Sequence, residues 1–112
     1  MGTVYAVQEA MRKIQGQWRR MHDLTPALIY GKLKIIIEGD QHLPISVQPI
    51  IWEFKKKLKD FCDDDYLLLI GDPVLIGIAT AVAADINRGR VKFLKWDRET
   101  AQYLEIGADF HK

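Results

Sequence analysis

Three aspartates stand where the sequence predicts the ends of strands, and together they could support metal chemistry. Asp40 and Asp72 each follow an apolar run closed by glycine, and Asp97 ends a third strand-like segment. Because the carboxyl ends of parallel strands share one edge of a sheet, the three side chains could converge. Carboxylates gathered in this way bind Mg²⁺ and suit metal-assisted phosphoryl transfer. This arrangement is the enzymatic hypothesis for the chain.

Each of these aspartates also has a local explanation. Asp72 precedes Pro73, which is the pattern of a helix N-cap followed by the first helical position. Asp40 suits a turn after Gly39, and Asp97 suits the first position of a β-turn. We favour this architectural interpretation. We therefore expect no cofactor, with Mg²⁺ as the one candidate ion.

A second hypothesis is nucleic-acid binding, because basic and aromatic side chains are interleaved in segments 12–20 and 88–98. Basic side chains neutralise phosphates and aromatic rings stack on bases, so this mixture suits single strands. The candidate residues are Trp18, Arg19, Arg20, Arg88, Arg90 and Trp96. The formal net charge is only +1. Most nucleic-acid-binding domains are far more basic, which favours solvated strand edges instead.

A third feature, the apolar segment 74–87, concerns association between copies of the chain. It carries no charge before Asp85 and predicts a helix that is apolar on all sides and therefore buried all round. A small domain has difficulty covering such a helix. A second copy could supply the cover through Leu75, Ile78 and Val82. Alternatively, the helix lies between the sheet and two hairpins of its own chain.

The order of strand-like and helix-like patterns predicts an α/β fold. Strand patterns occupy segments 4–8, 17–24, 32–38, 66–70, 90–97 and 102–106, and helical patterns occupy segments 47–61 and 74–87. Connections that contain a helix join parallel strands. We therefore predict a small mixed sheet with a central parallel β-α-β-α-β unit and two main helices. Segments 4–8 and 17–24 form an N-terminal β-hairpin around Gly16, and segments 90–97 and 102–106 form a C-terminal one.

The composition describes one ordinary globular domain. The chain has 112 residues, of which 48% are hydrophobic and 28% charged, and we predict a single domain over residues 1–112. Its single cysteine, Cys62, fits a reducing compartment such as the cytoplasm. The longest apolar run, 73–84, is shorter than the roughly 20 residues that cross a bilayer, so we expect no membrane association.

Several stretches of the chain carry a resemblance to a known group. They are segments 4–9, 17–18, 23–28, 65–92, with its Ile70-Gly71-Asp72-Pro73 motif, and 94–98. Read together, they resemble small uncharacterised proteins of marine tailed bacteriophages, including cyanophage-like genomes. The resemblance covers nearly the whole chain and implies a phage accessory protein acting in the host cytoplasm. That group has no assigned activity, so the resemblance implies no site residue.

The leading hypothesis is therefore a non-enzymatic phage accessory protein that binds a host or phage macromolecule as a small homo-oligomer. It rests on the apolar helical segment and on the absence of a nucleophile or cofactor motif from the sequence. Nucleic-acid binding and a Mg²⁺-dependent phosphoryl-transfer enzyme are the alternatives.

Overall fold

The computed structural model describes residues 2–9, 11–20, 23–39 and 46–112. Its elements, in chain order, are β1 (Thr3–Glu9), β2 (Met11–Ile14), β3 (Gln17–Arg20), a 3₁₀ segment (Thr25–Ile29), β4 (Lys32–Glu38), α1 (Gln48–Lys57), β5 (Tyr66–Leu68), α2 (Pro73–Ile86), β6 (Arg90–Asp97) and β7 (Gln102–Asp109).

Five of the strands form one mixed sheet in the order β4-β1-β5-β6-β7. The first four strands in this order run parallel, and β7 is antiparallel to β6. Strands β4, β5 and β6 with the two helices make the predicted parallel β-α-β-α-β unit, and β6 with β7 makes the predicted C-terminal hairpin. The predicted mixed α/β fold is confirmed.

The position of strand β1 in the sheet differs from the one that we predict from the sequence. The predicted pairing of segment 4–8 with segment 17–24 is wrong, because β1 lies between β4 and β5. The N-terminal hairpin consists of β2 and β3 alone, with Gly16 at a φ of 80° in its turn. The side chains from Val4 to Val7 are at most 5% exposed. A strand that is apolar on both faces suits the interior of a parallel sheet and not a half-exposed hairpin arm.

Both faces of the sheet are covered. On one face, Tyr5 and Val7 of β1 pack in a cluster with Phe54 of α1 and Leu75 of α2. On the other face, Val4 and Ala6 belong to a second cluster that includes Leu24 and Ala27 at the 3₁₀ segment. The result is a three-layer domain, with the two helices on one side of the sheet and the 3₁₀ segment on the other.

Helix α2 is apolar, but its own chain does not bury it on all sides. Leu75, Ala79 and Val82 face the core, whereas Val74 is 49% exposed and Ala81 is also exposed. The sheet and α1 cover only part of its circumference. Within the described ranges, no helix combines the length and hydropathy that a membrane span needs.

Candidate functional site

The carboxyl ends of β4, β1 and β5 are joined by the side chain of Gln8. Its Nε2 donates a hydrogen bond to the carbonyl oxygen of Gly39 (3.1 Å), and its Oε1 accepts one from the backbone N–H of Asp72 (2.8 Å). The side chain is only 6% exposed. Gly71 packs so closely that a Cβ there would lie 2.4 Å from the Cβ of Gln8. Both Gly-Asp strand ends of the sequence are therefore tied to one buried amide, which sequence reasoning did not single out.

Two of the three predicted metal-binding aspartates have local structural roles. Asp72 caps α2, because its Oδ1 accepts a hydrogen bond from the N–H of Val74 (2.8 Å). Asp97 accepts hydrogen bonds from the Thr100 hydroxyl (2.6 Å) and the Glu99 N–H (3.2 Å) within the β6–β7 turn. The bond from Thr100 is the main cause that lowers the pKa of Asp97. The architectural interpretation is confirmed for these two residues.

The third aspartate, Asp40, lies outside the residues that the structure describes. Among those that it does describe, no group of three or more His, Cys, Asp or Glu side chains is placed to hold a metal ion. The Mg²⁺ site through Asp40, Asp72 and Asp97 stays a prediction.

A cavity of about 680 Å³ opens at the carboxyl ends of β5 and β6, beside the 3₁₀ segment, and we call it the carboxyl-edge groove. Its buried and half-buried side chains include Leu69, Ile70 and Tyr103. Its exposed lining residues include Lys95, Trp96, Arg98 and Asp23. The groove therefore combines an apolar interior with a rim that carries two cationic residues, Lys95 and Arg98, and one acidic residue, Asp23.

Trp96 is the aromatic side chain that the groove presents to solvent. It is 41% exposed and makes an edge-to-face contact with Tyr103, with ring centroids 5.0 Å apart and planes at 69°. Burial, and then the charge of Asp23, raise the pKa of the Tyr103 phenol above its ordinary value. Tyr103 thus holds the indole in position while part of the ring stays accessible to a ligand.

The predicted nucleic-acid-binding residues on β6 and in the turn before it are divided between the carboxyl ends and the amino ends of the strands. Trp96 lies near the carboxyl end of β6, whereas Arg90 begins that strand, roughly 20 Å away at about 3.3 Å per residue. Arg88 lies beyond Arg90, in the turn that follows α2. The structure therefore groups Trp96 with Lys95 and Arg98, and it separates this group from Arg88 and Arg90.

The first hairpin leaves the sheet at the carboxyl end of β1, on the same edge as the groove. Trp18 is 64% exposed and Arg19 is exposed as well, on β3. The side chain of Arg20 lies outside the described part of the chain.

The amino-terminal ends of β5 and β6 have a second cavity, of about 520 Å³, whose lining includes Asp63, Asn87 and Arg90. Arg90 donates hydrogen bonds to Asp63 (2.9 and 3.2 Å), and Asn87 donates another to the same carboxylate (2.9 Å). The bond from Arg90 is the main cause that lowers the pKa of Asp63. These contacts tie β6 to the loop before β5, so Arg90 is engaged in holding the fold together.

The predicted contact residues of a second copy lie mostly inside the subunit. Leu75 is 2% and Val82 is 6% exposed, and Ile78 is half-buried against the same core. These positions belong to the core that α2 shares with α1 and the sheet. The exposed positions of the helix are instead Pro73, Val74, Gly77, Ala81 and Asp85.

Comparison with known proteins places the chain in a phage family. It matches the family described as Phage Pam3 gp32-like protein over residues 2–110. No curated protein and no solved structure matches it. The predicted resemblance to phage proteins is confirmed, and its narrower assignment to marine, cyanophage-like genomes stays a prediction. With nearly its whole length matched, the chain belongs to the Phage Pam3 gp32-like protein family.

Proposed function

We propose that this protein is a phage accessory protein that acts by binding, as a homo-oligomer in the host cytoplasm, and that it binds single-stranded nucleic acid at the carboxyl-edge groove. The observation that carries the proposal is the position of Trp96. Its ring is partly exposed at the groove, and two cations of the same chain segment, Lys95 and Arg98, line the same cavity. Family membership supports the phage context.

The chemistry of the groove suits a base and its phosphates. An exposed indole offers a stacking surface worth about 1–3 kcal/mol per base, and Lys95 and Arg98 offer charge to the adjacent phosphates. The cavity, about 680 Å³, lies within the range that small-molecule sites occupy. Binding is favoured over cleavage because the carboxylates of Asp72 and Asp97 are committed to hydrogen bonds in their own turns.

The homo-oligomer is supported by two apolar surfaces of the subunit. Val74, Gly77 and Ala81 give the first three turns of α2 an exposed side without charge, which ends at the exposed Asp85, and β7 is an edge strand with exposed Leu104 and Ile106. Host-cytoplasmic action is supported by the cysteine content, because the single, exposed Cys62 fits a reducing compartment.

Binding is tested by fluorescence anisotropy with a labelled thymidine oligonucleotide. We expect Trp96→Leu to weaken binding by about 5- to 150-fold, the equivalent of one lost stacking contact. Arg98→Ala should weaken binding and lower the salt slope by about 0.7, the contribution of one phosphate contact to a single strand.

Two matched variants control for losses of affinity that do not depend on the groove. Trp52→Leu removes a 62% exposed indole from α1, and Arg88→Ala removes an arginine from the opposite edge of the sheet. Both should bind like the wild-type protein. If the oligonucleotide shows no salt-sensitive binding, or if the controls lose as much affinity as Trp96→Leu and Arg98→Ala, the proposal is wrong.

A further inference from the structure

We propose that two copies of this chain join through β7, antiparallel and about a twofold axis at Ile106, so that their sheets become one continuous sheet. The inference rests on the proposed homo-oligomer and names its surface.

The first argument is that β7 is an unprotected edge. It is the last strand of the sheet, and on its outer side it meets no other strand of the described part of the chain. Its register with β6 runs without a bulge from Asp97↔Gln102 to Arg90↔Asp109. It also contains no proline and no lysine. Natural edge strands use bulges, prolines and charged side chains, lysine above all, to prevent pairing with another chain, and of these devices β7 has only the acids Glu105 and Asp109.

The other edge strand of the sheet, β4, offers a direct comparison. Strand β4 carries two exposed lysines, Lys32 and Lys34, and so has the protection that β7 lacks. On β7, the hydroxyl of Tyr30 donates a hydrogen bond to the carbonyl oxygen of Tyr103 (3.1 Å), which fixes the beginning of the strand. Residues 104–107 are all exposed. The open stretch therefore lies in the middle and at the end of β7.

The second argument is the apolar stripe that this edge presents. Leu104 is 42% and Ile106 is 44% exposed. Both lie on the same face as Phe93, which pairs with Ile106 and packs against the core beneath the helices. The helices cover this face further into the sheet, so the stripe on β7 is its uncovered margin. A second β7 beside the first would extend the stripe and bury part of it.

The third argument selects the register. In a continuous antiparallel sheet, directly opposite residues point to the same face. The twofold axis must therefore pass midway between the two copies of one residue, which lie opposite each other. With the axis at Glu105, the two copies of this carboxylate would lie directly opposite each other. With the axis at Gly107, Glu105 of one subunit would lie opposite Asp109 of the other. Like charges directly opposite each other are destabilising. An axis at Leu104 would need the Tyr103 carbonyl, which Tyr30 already engages, whereas an axis at Ile106 pairs residues 104–108 beyond it with no acid opposite an acid.

The fourth argument is charge complementarity in this register. Lys92 pairs with Gly107 on the neighbouring strand of its own chain, and Glu105 of the partner subunit falls opposite Gly107 on the other side. A Cβ at Gly107 would meet nothing within 4 Å, so the space above it is open. Lysine and glutamate side chains can meet across the two strand spacings, about 10 Å. The ammonium of Lys92 lies 4.2 Å from the Tyr66 ring in the subunit and would swing from there to the partner's carboxylate.

Light scattering of the full chain in solution tests the surface. We expect the wild-type protein to have twice the 12.9 kDa chain mass and Ile106→Lys to have the mass of one chain. The matched control is Val74→Lys, which places the same charge on the exposed side of α2 and should remain dimeric. If Val74→Lys separates the copies and Ile106→Lys does not, the β7 surface is wrong although the homo-oligomer stands. A monomeric wild-type protein would overturn both.

Disulfide formation tests the register independently of the charge variants. In a Cys62→Ser background, Ile106→Cys places two thiols opposite each other, with Cα atoms about 4.5–5.5 Å apart and within disulfide range. We expect it to form a covalent dimer on mild oxidation. Leu104→Cys, whose copies lie about 13 Å apart in this register, should form none. The reverse pattern, or a covalent dimer from neither variant, would contradict an axis at Ile106.

Discussion

Gln8 connects the carboxyl ends of three neighbouring strands through one side chain. It binds Gly39 after β4 and Asp72 after β5 while its own backbone lies in β1. A lone glutamine after an apolar run is the only sign of this role in the sequence. Its partners are 31 and 64 residues away, and such distances leave no local pattern.

The role of Gln8 predicts a measurable loss of stability. Gln8→Ala leaves the Gly39 carbonyl and the Asp72 N–H without their partner, at a cost of about 1–3 kcal/mol in the free energy of unfolding. Urea denaturation measures the change. Gln48→Ala, at an exposed position of α1, should stay within about 0.5 kcal/mol of the wild-type protein. Equal effects of the two variants would show that the Gln8 amide does not hold the strand ends together.

The lowered pKa of Asp63 predicts that the free energy of unfolding depends on pH. Its pKa is held below the ordinary value of 3.8, first by the hydrogen bond from Arg90 and then by that from Asn87. A carboxylate with a lowered pKa in the folded state stabilises the fold above its unfolded pKa, and this contribution is lost as the pH falls through the folded pKa.

The corresponding experiment compares the free energy of unfolding at about pH 5 and about pH 3. The wild-type protein should lose more stability over this interval than Asp63→Asn, which has no carboxylate to protonate. Asp64→Asn, at the exposed neighbouring position, is the control and should follow the wild-type curve. A wild-type curve that coincides with that of Asp63→Asn would mean that the contact with Arg90 adds nothing in solution.

At the scale of elements, the parallel unit and the C-terminal hairpin are predictable because each element has its own local pattern. Periodicity marks α1 and α2, and the Asp72-Pro73 pair marks where α2 begins. The position of β1 is different, since the pairing of β1 with β4 and β5 is decided by contacts between distant segments. The run Val4–Tyr5–Ala6–Val7, apolar on both faces, is the signal that could have indicated an interior strand.

The start of α2 gives a prediction that separates capping from charge. Asp72→Ala removes the acceptor of the Val74 N–H and should cost about 1 kcal/mol, within the usual range of N-cap substitutions. Asp72→Asn keeps a capping oxygen and removes the charge, so its unfolding free energy should stay within about 0.5 kcal/mol of the wild-type value. Thermal or urea unfolding of the two variants decides. A large loss in Asp72→Asn would show that the carboxylate itself is required.

At the scale of the whole molecule, the fold determines which candidate residues act together. The sequence indicates basic and aromatic residues in segments 12–20 and 88–98, and the predicted strand 90–97 already separates Arg90 from Trp96. It does not show which residues of other strands and loops lie beside each of them. The carboxyl-edge groove, with its partners Tyr103 and Ile70 from other strands and loops, exists only once the strand order is known. The residue types of this site could be predicted, and their grouping could not.

The most direct test of the proposed binding surface is an NMR titration of the ¹⁵N-labelled protein with a thymidine oligonucleotide. We expect the amide signals of Gly71, Lys95 and Arg98 and the indole N–H signal of Trp96 to shift with added oligonucleotide, and the signals of Arg88 and Arg90 to stay in place. Shifts confined to the Arg88 and Arg90 edge, or no shifts at all, would contradict binding at the carboxyl-edge groove.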